Sequence, residues 1–421
     1  MTAHAILSPS SAHRWMRCVG APAMEQGYKN NSSEYADEGT AAHFVAAQCL
    51  THGTNAAILQ GLNVEITDGE GAFLYNPQAF KGGRLQHITS EMVDYVQTYI
   101  DFVREQAADA KLLVEEELPI YQITGEESAT GTGDAIILAG RILKVIDLKF
   151  GRGNMVEAEE NEQLMMYALG ALEKHDLVGE FEEVWMFIHQ PRVSSEPSLY
   201  VLSVERLLQW KQHATAAAIK ARFILDTGVS NVVASTDPVL VPGQYQCRFC
   251  KAKADCPALS SFVAEEVGAD FETLSRQSEP VSVEYDHTLL SHKMSACDLI
   301  ENWIKAVRVK VESELFAAHD VPDYKLVEGR RGARKWSDEE EAEKVLKSMR
   351  LKTEEMYDFK LISPTTAEKV LKESPKRWNR VTNLITQSEG KPSVAHASDK
   401  RPALVVAPVA DDFAAHAEDL I

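Results

Sequence analysis

Two aspartates and a lysine in "GTGDAIILAGRILKVIDLKFG", residues 131–151, carry the first chemistry that this sequence offers. With Gly140-Arg141 as a two-residue turn, Gly occupies the first central position, as a type II′ hairpin prefers. Ala139 then pairs with Ile142 and Ile137 with Lys144, and Asp134 falls opposite Asp147. Strand side chains alternate, so Asp147 and Lys149 share a face with Val145 and, across the hairpin, with Asp134 and Ile136. Facing carboxylates repel unless a cation lies between them. Hard oxygen ligands at this spacing suit Mg²⁺ or Mn²⁺. Lys149 stands where an amine could orient or deprotonate an attacking water and neutralise charge on a phosphoryl transition state. A surface hairpin holding a salt bridge is the plainer reading of the same residues.

These side chains need a scaffold, and the flanking sequence supplies one. "EENEQLMMYALGALEKH" reads as a helix that puts Gln163 and Tyr167 on one face, four residues apart, soon after the Asp147–Lys149 strand. An amide and a hydroxyl stacked in this way can bond a nucleic-acid backbone. "EYADEGTAAHFVAAQCLTHG" reads as a helix carrying His43, and "EMVDYVQTYIDFVREQ" as a second helix with apolar residues at helical spacing. "KLLVEEELPIY" and "FEEVWMFIHQP" read as strands; Glu115 and Glu117, on one face of the first, are further candidates for the site, with a structural role the preferred reading. "SVERLLQWKQHATAAAIKARFIL" is another helix.

The motifs "TGTGDAIIL", "VIDLKFG" and "EQLMMYALG" resemble those of the RecB-like nucleases in the PD-(D/E)xK superfamily. That family runs from a helix with His, through a strand with Gly-Asp and a strand with D/E-x-K, to a helix with Q-x-x-x-Y. His43, Asp134, Asp147 with Lys149, and Gln163 with Tyr167 follow that order. The resemblance implies an α/β fold, a nuclease core of mixed sheet flanked by helices. It implies that Asp134, Asp147 and the backbone carbonyl of Leu148 hold the metal, with His43 as a further ligand. Lys149 would be the catalytic lysine, and Gln163 and Tyr167 would position the DNA strand.

Three of the six cysteines crowd into "CRFCKAKADC": Cys247, Cys250 and Cys256. Cys49 and Cys297 lie on amphipathic helical patterns and read as small buried hydrophobes. Cys18, alone near the N-terminus, completes an arrangement similar to the iron–sulfur nuclease domains of AddB-type and CRISPR-adaptation enzymes. That resemblance implies a [4Fe–4S] cluster on Cys18, Cys247, Cys250 and Cys256, tying the two ends of the domain together; Zn²⁺ on four thiolates is the alternative.

Composition sets outer bounds. A chain of 421 residues with 45% hydrophobic and 25% charged residues is an ordinary globular sequence. The net charge of −20 argues against a generally nucleic-acid-coating protein, although basic contacts can be confined to one groove. No membrane span or signal peptide is read, and the expectation is a cytoplasmic protein, in the bacterial host if phage-encoded.

The expected domains are a nuclease at residues 1–265, a helical C-terminal region at 284–385 for DNA or a partner, and a disordered tail at 386–421. A core stripe of Leu290, Met294, Cys297, Ile300, Ile304, Val307, Val311 and Leu315 is read on the long helix, and Ser337 and Ser363 are read as N-caps. Trp336 and Trp378 among basic residues suit either stacking on single strands or a small core.

The layout as a whole resembles phage and prophage RecB-like exonucleases that are not fused to a helicase. It implies a DNA exonuclease acting on linear ends in recombination or replication, alongside a single-strand-binding or annealing protein. The rival is a non-catalytic metallocluster scaffold with a vestigial nuclease site.

Overall fold

The computed structural model describes residues 5–404 apart from 29–32, 68, 76–79, 81, 154, 178–179, 230–237, 277–286, 330–332, 358–360, 373, 387–389 and 397–401. The chain forms two compact units, Met1–Trp303 and Ile304–Ile421. Each is described separately.

The first unit opens with short helices α1 (Ala12–Trp15) and α2 (Ala21–Met24), then α3 (Glu34–His52). Ser33 starts α3 by accepting from the Ala36 amide at 3.2 Å, and Gly53 ends it at φ +66°. A small antiparallel sheet, β1 (Asn63–Thr67), β2 (Glu70–Phe73) and β3 (Arg84–His87), precedes α4 (Ser90–Ala107). Next come β4 (Lys111–Pro119), the short α5 (Tyr121–Thr124), β5 (Thr130–Ala139), β6 (Ile142–Leu148), α6 (Glu162–His175), β7 (Glu183–His189), β8 (Ser198–Ser203) and α7 (Val204–Thr227). α8 (Gln244–Arg248), α9 (Pro257–Arg276) and α10 (His287–Phe316) follow, and α10 runs across the division between the units.

The central sheet has the order β4-β5-β6-β7-β8. All its neighbours are antiparallel except β6 and β7, whose parallel pairing requires a crossover, and α6 is that crossover. The fold class is therefore the expected one, a mixed sheet flanked by helices. The expected hairpin register also holds: Ala139 pairs with Ile142 and Ile137 with Lys144. Gly140 turns the chain at φ +61° and Arg141 is not among the positive-φ residues, which is the type II′ pattern.

Alternation divides the sheet's side chains between two cores. Ile136, Leu143 and Val145 pack on one side with Leu164, Met166, Ala168 and Ala171 of α6 and with Ala214 and Ala218 of α7. Ala135, Ile137, Ile146 and Leu148 pack on the other with Ala42, Val45 and Cys49 of α3 and Val96, Ile100 and Val103 of α4. α6 comes so near the sheet that a Cβ on Gly170 would lie 2.9 Å from the Pro119 carbonyl.

The long helix α10 departs from expectation. Among its described side chains in the first unit the buried ones are Ala296 and Leu299, with Ile300 and Trp303 partly buried beside them, whereas Met294 is 69% exposed and Cys297 is exposed; Leu290 of the expected stripe lies outside the described side chains. The expected stripe is rotated: Leu259 and Val263 of α9, together with Cys247, select the Leu299 face.

The second unit is not purely helical. β9 (Tyr324–Gly329) pairs antiparallel with β12 (Gly390–His396), and β10 (Lys335–Trp336) with β11 (Ile385–Thr386). Between them lie α11 (Glu339–Ser348), α12 (Thr353–Met356), α13 (Pro364–Val370) and α14 (Pro375–Thr382). The tail expected from residue 386 thus contributes a strand, and its acidic end, 411–421, lies outside the described residues. Ser363 caps α13 as expected. α11, however, is capped by Asp338, which accepts from the Glu341 amide at 2.9 Å, while the Ser337 hydroxyl donates to the Leu384 carbonyl at 2.8 Å. Trp336 is core, its indole N–H bonded to the Ile362 carbonyl at 2.9 Å, so it offers no stacking face. Among the described residues, no helix is long and apolar enough to cross a membrane.

Candidate metal centre and cysteine cavity

The β5–β6 ladder ends at Ala135–Ile146, one step before the two aspartates would pair. There the Asp134 side chain takes over as acceptor: its Oδ2 receives the Leu148 amide at 2.7 Å. β5 stays with β4 while the end of β6 stays with β7, with Asp147 opposite Ile188. The two strands diverge around the aspartates, so the functional groups sit at a gap in the sheet. Helix α3 brings His43 to this gap, with its Nδ1 3.2 Å from Asp134 Oδ2.

A third group joins them from β4. Glu115 falls between the pairs Val114–Ala135 and Glu116–Gly133, opposite Asp134, and its φ of +49° interrupts the ladder there. A non-glycine residue in that region is strained, and such strain tends to collect at functional sites. One potential ligand atom each from His43, Glu115 and Asp134 lie within 4.8 Å of one another, in a small pocket also lined by Ala46, Ala47, Leu50, Tyr99 and Leu148.

Electrostatics ties these groups together. Burial alone would lower the His43 imidazole, but the Asp134 charge and hydrogen bond more than reverse this and raise its pKa to about 9. Burial opposes ionisation of Asp134, yet His43 and the Leu148 amide hold its pKa below the ordinary value. Glu115 is pushed up to about 7, by burial first and then by Asp134.

Asp147 is served from the other layer. It is only 2% exposed, and Lys149 Nζ lies 2.8 Å from its Oδ2. That ion pair is the contact the buried oxygen makes with a cation. Burial raises the Asp147 pKa, Lys149 relieves it in part, and Asp134 adds to it. Lys149 Nζ donates to Gln163 Oε1 at 2.9 Å, and Gln163 Nε2 to the Tyr167 hydroxyl at 3.1 Å. Asn161 fixes the start of α6 by accepting from Leu164 N at 3.2 Å, which sets Gln163 and Tyr167 on the face toward the lysine. Gly131 leaves room for Tyr167, because a Cβ there would lie 3.0 Å from the ring and 2.8 Å from Pro9 Cγ.

The structure thus brings His43 to Asp134, and Asp147, Lys149, Gln163 and Tyr167 into one chain of contacts. It does not put Asp147 in the three-ligand group; Glu115, a candidate in the sequence whose preferred reading there is structural, takes that place. Leu148 enters through its amide. Counting the β4 register from Asp134 would have found Glu115, but the positive φ that aims it has no local sequence signature. Two carboxylates and an imidazole in one pocket, with the buried Asp147 carboxylate beside them, form a donor set that fits a hard divalent cation.

The four cysteines singled out, Cys18, Cys247, Cys250 and Cys256, all line one cleft of about 350 Å³, counted to its open mouth. Its walls are otherwise mostly apolar, with Ala21, Met24, Leu240 and Leu259 among them. Backbone amides point at the sulfurs: Val241 N to Cys18 Sγ and Gly243 N to Cys247 Sγ, each at 3.4 Å. Burial pushes the Cys18 and Cys247 thiols up and the Cys250 thiol to about 12. Among the described residues, no three of these sulfurs lie within 4.8 Å of one another. Tetrahedral zinc needs sulfurs about 3.8 Å apart, from Zn–S bonds near 2.3 Å. The thiols share a cavity without being drawn into a tight group. Of the other two, Cys49 is buried as expected and Cys297 is exposed, its Sγ 3.3 Å from the Lys293 carbonyl.

Comparison with solved structures finds distant likenesses. An alkaline exonuclease, LHK-Exo from Laribacter hongkongensis, is 8% identical with a TM-score of 0.22, over 53% of this chain and 97% of that one. LHK-Exo in complex with dAMP is 10% identical with a TM-score of 0.22, over 52% and 93%. SSO0001 is 13% identical with a TM-score of 0.23, over 57% and 95%. The family model described as "Protein of unknown function (DUF2800)" matches residues 4–402, and the chain belongs to that family.

Proposed function

We propose that the first unit is a Mg²⁺- or Mn²⁺-dependent deoxyribonuclease of PD-(D/E)xK type that degrades linear DNA from its ends. The observation that carries this reading is the buried Asp147 carboxylate paired with Lys149, next to the His43–Glu115–Asp134 group. His43, Glu115, Asp134 and Asp147 would hold the ion. A bound divalent cation supplies positive charge at the scissile phosphate and lowers the pKa of water.

The chain's own residues do the rest. Lys149 stands beside the carboxylates, where it places a proton-exchanging amine against the attacking water. Gln163 restrains that amine, and Tyr167 restrains Gln163, so the lysine keeps one rotamer rather than sweeping the gap. With His43 neutral upon ligation, the centre is left with three carboxylates and one ammonium, a balance suited to a dication.

A [4Fe–4S] cluster is the occupant proposed for the cysteine cleft, with zinc as the alternative. Cys18 and Cys247 are buried and receive backbone amides, Cys250 and Cys256 are half-buried, and a cationic centre would draw the four into thiolate ligands. When bound, a cluster supplies a crosslink between the ends of the unit. A role in phage recombination or replication accords with end-directed digestion.

The test is digestion of end-labelled linear and covalently closed circular DNA with Mg²⁺ or Mn²⁺, alongside Asp147→Ala and Lys149→Ala. Loss of the linear substrate alone, abolished in both variants, is the expected result. Unchanged degradation by both variants would overturn the assignment.

A further inference from the structure

Beside the cysteine cavity lies a surface that the chemistry above does not use. Tyr245 is 73% exposed and Phe249 63% exposed. Single exposed aromatics are common, and Tyr35 and Tyr75 are as open; what sets this pair apart is its company. The two stand four residues apart, on α8 and just past its end, and so face the same way. Each is accompanied by a cation. The Arg17 guanidinium lies 5.9 Å from the Tyr245 ring centre, and the Arg248 guanidinium 5.2 Å from that of Phe249. His13 meets Phe249 edge-on, with ring centres 6.4 Å apart.

The local charge is opposite to that of the protein. Segments 13–28 and 244–257 hold five Lys or Arg and two carboxylates, or three with the Glu162 that pairs with Arg17, in a chain with 43 basic and 63 acidic residues. Of the two carboxylates, Glu25 is held by Arg14 at 3.1 Å and by the Lys251 amide at 2.8 Å, and Asp255 is bonded by the Tyr28 hydroxyl. The patch also reaches the candidate centre. Arg17 pairs with Glu162, the residue before Gln163.

We propose that this face binds single-stranded nucleic acid, with bases stacking on Tyr245 and Phe249 and phosphates meeting Arg17 and Arg248. Exposed aromatics interleaved with cations supply both needs of such a strand: a π-face for each base and positive charge along the backbone. The local excess of positive charge in an acidic protein selects a polyanion, and the open rings select one with unstacked bases. The direction of the strand, toward Gln163 and Lys149, rests on the nuclease reading; the binding does not.

The experiment measures binding of fluorescein-labelled oligothymidylate by anisotropy, with EDTA present to prevent cleavage. The Tyr245→Ala/Phe249→Ala double variant is expected to bind at least about tenfold more weakly than wild type. Arg248→Ala is expected to reduce the slope of log K against log salt by about 0.7, one single-strand phosphate contact. Wild-type affinity in a double variant that melts normally overturns the proposal, as does a wild-type protein that does not bind. Equal loss on a blunt duplex refutes stacking. The two readings separate cleanly: DNA degradation with aromatic-independent binding sinks only the patch. Aromatic-dependent binding without degradation in Mg²⁺ or Mn²⁺ sinks only the nuclease.

Discussion

Glu115 should work against stability and for metal binding, and two substitutions separate its contributions. Its backbone at φ +49° carries a left-handed strain of about 1–2 kcal/mol, which Gly avoids at the expense of about 0.5–1 kcal/mol of extra unfolded-state freedom. Its carboxyl, pushed from 4.5 to about 7, would cost about 3 kcal/mol when ionised if fully shielded. The residue is exposed over much of its surface, so screening leaves about 1 kcal/mol. The sign follows from linkage. A carboxyl whose pKa rises on folding favours the folded state below its unfolded pKa, and that advantage is lost as pH climbs through about 7.

Without added metal, Glu115→Gln should therefore stabilise by about 1 kcal/mol near pH 8 and by almost nothing near pH 4. Glu115→Gly should add about 0.5–1 kcal/mol at both pH values. Each kcal/mol corresponds to roughly 2–4 °C in melting temperature for a unit of this size. Both variants should lose most of the stabilisation that Mg²⁺ gives the wild type. Thermal melts at the two pH values, with and without Mg²⁺, read all of these. If both variants melt below wild type near pH 8, Glu115 does not work against stability; if both keep the full response to Mg²⁺, it is not a ligand.

Lys149→Met should slow single-turnover DNA cleavage by about 10²–10⁴-fold while Mn²⁺ binding, followed by calorimetry, persists. A variant that cleaves normally removes the lysine from the chemistry. Cys18→Ser should strip colour and iron from anaerobically purified protein and, in the loop-closure picture, cost about 5 kcal/mol. Stoichiometric zinc in a colourless wild type would end the cluster assignment. Gly131→Ala should displace Pro9 and Tyr167 and reduce activity more than it reduces the melting temperature, since the contact 3.0 Å from the Tyr167 ring lies at the site. Asp338→Ala should cost the second unit about 1 kcal/mol in denaturant unfolding, with Ser337→Ala leaving α11 capped.

Much of the centre was readable because it depends on local rules. Gly140 sets a turn, the turn sets a register, and the register puts Asp134 and Asp147 at matching positions; four-residue spacing does the same for Gln163 and Tyr167. What escaped depends on distant parts of the chain. The left-handed conformation of Glu115 exists only where β5 and β6 diverge. The buried face of α10 is chosen by Leu259 and Val263, which periodicity cannot foresee when apolar residues lie on both sides of a helix. β12 reads as Pro- and Ser-containing linker and becomes a strand only because β9 offers an edge. Ser337 and Asp338 are both good caps, and the Leu384 carbonyl takes the serine.

The N-terminal segment of this unit is held in place by residues made far later. Gly20 donates to the Val239 carbonyl at 2.9 Å, and Cys18 accepts from Val241, 223 positions on. At bacterial-type synthesis speeds of about 5–20 residues per second, that partner arrives roughly 10–45 s after the N-terminal segment is translated. For that interval Leu7 and Trp15, both fully buried in the finished protein, have no complete pocket to enter. The nascent chain therefore spends tens of seconds as an apolar client for whatever holdase stands at the ribosome exit, and variants that slow translation past Val241 would lengthen its exposure to aggregation rather than alter its final shape.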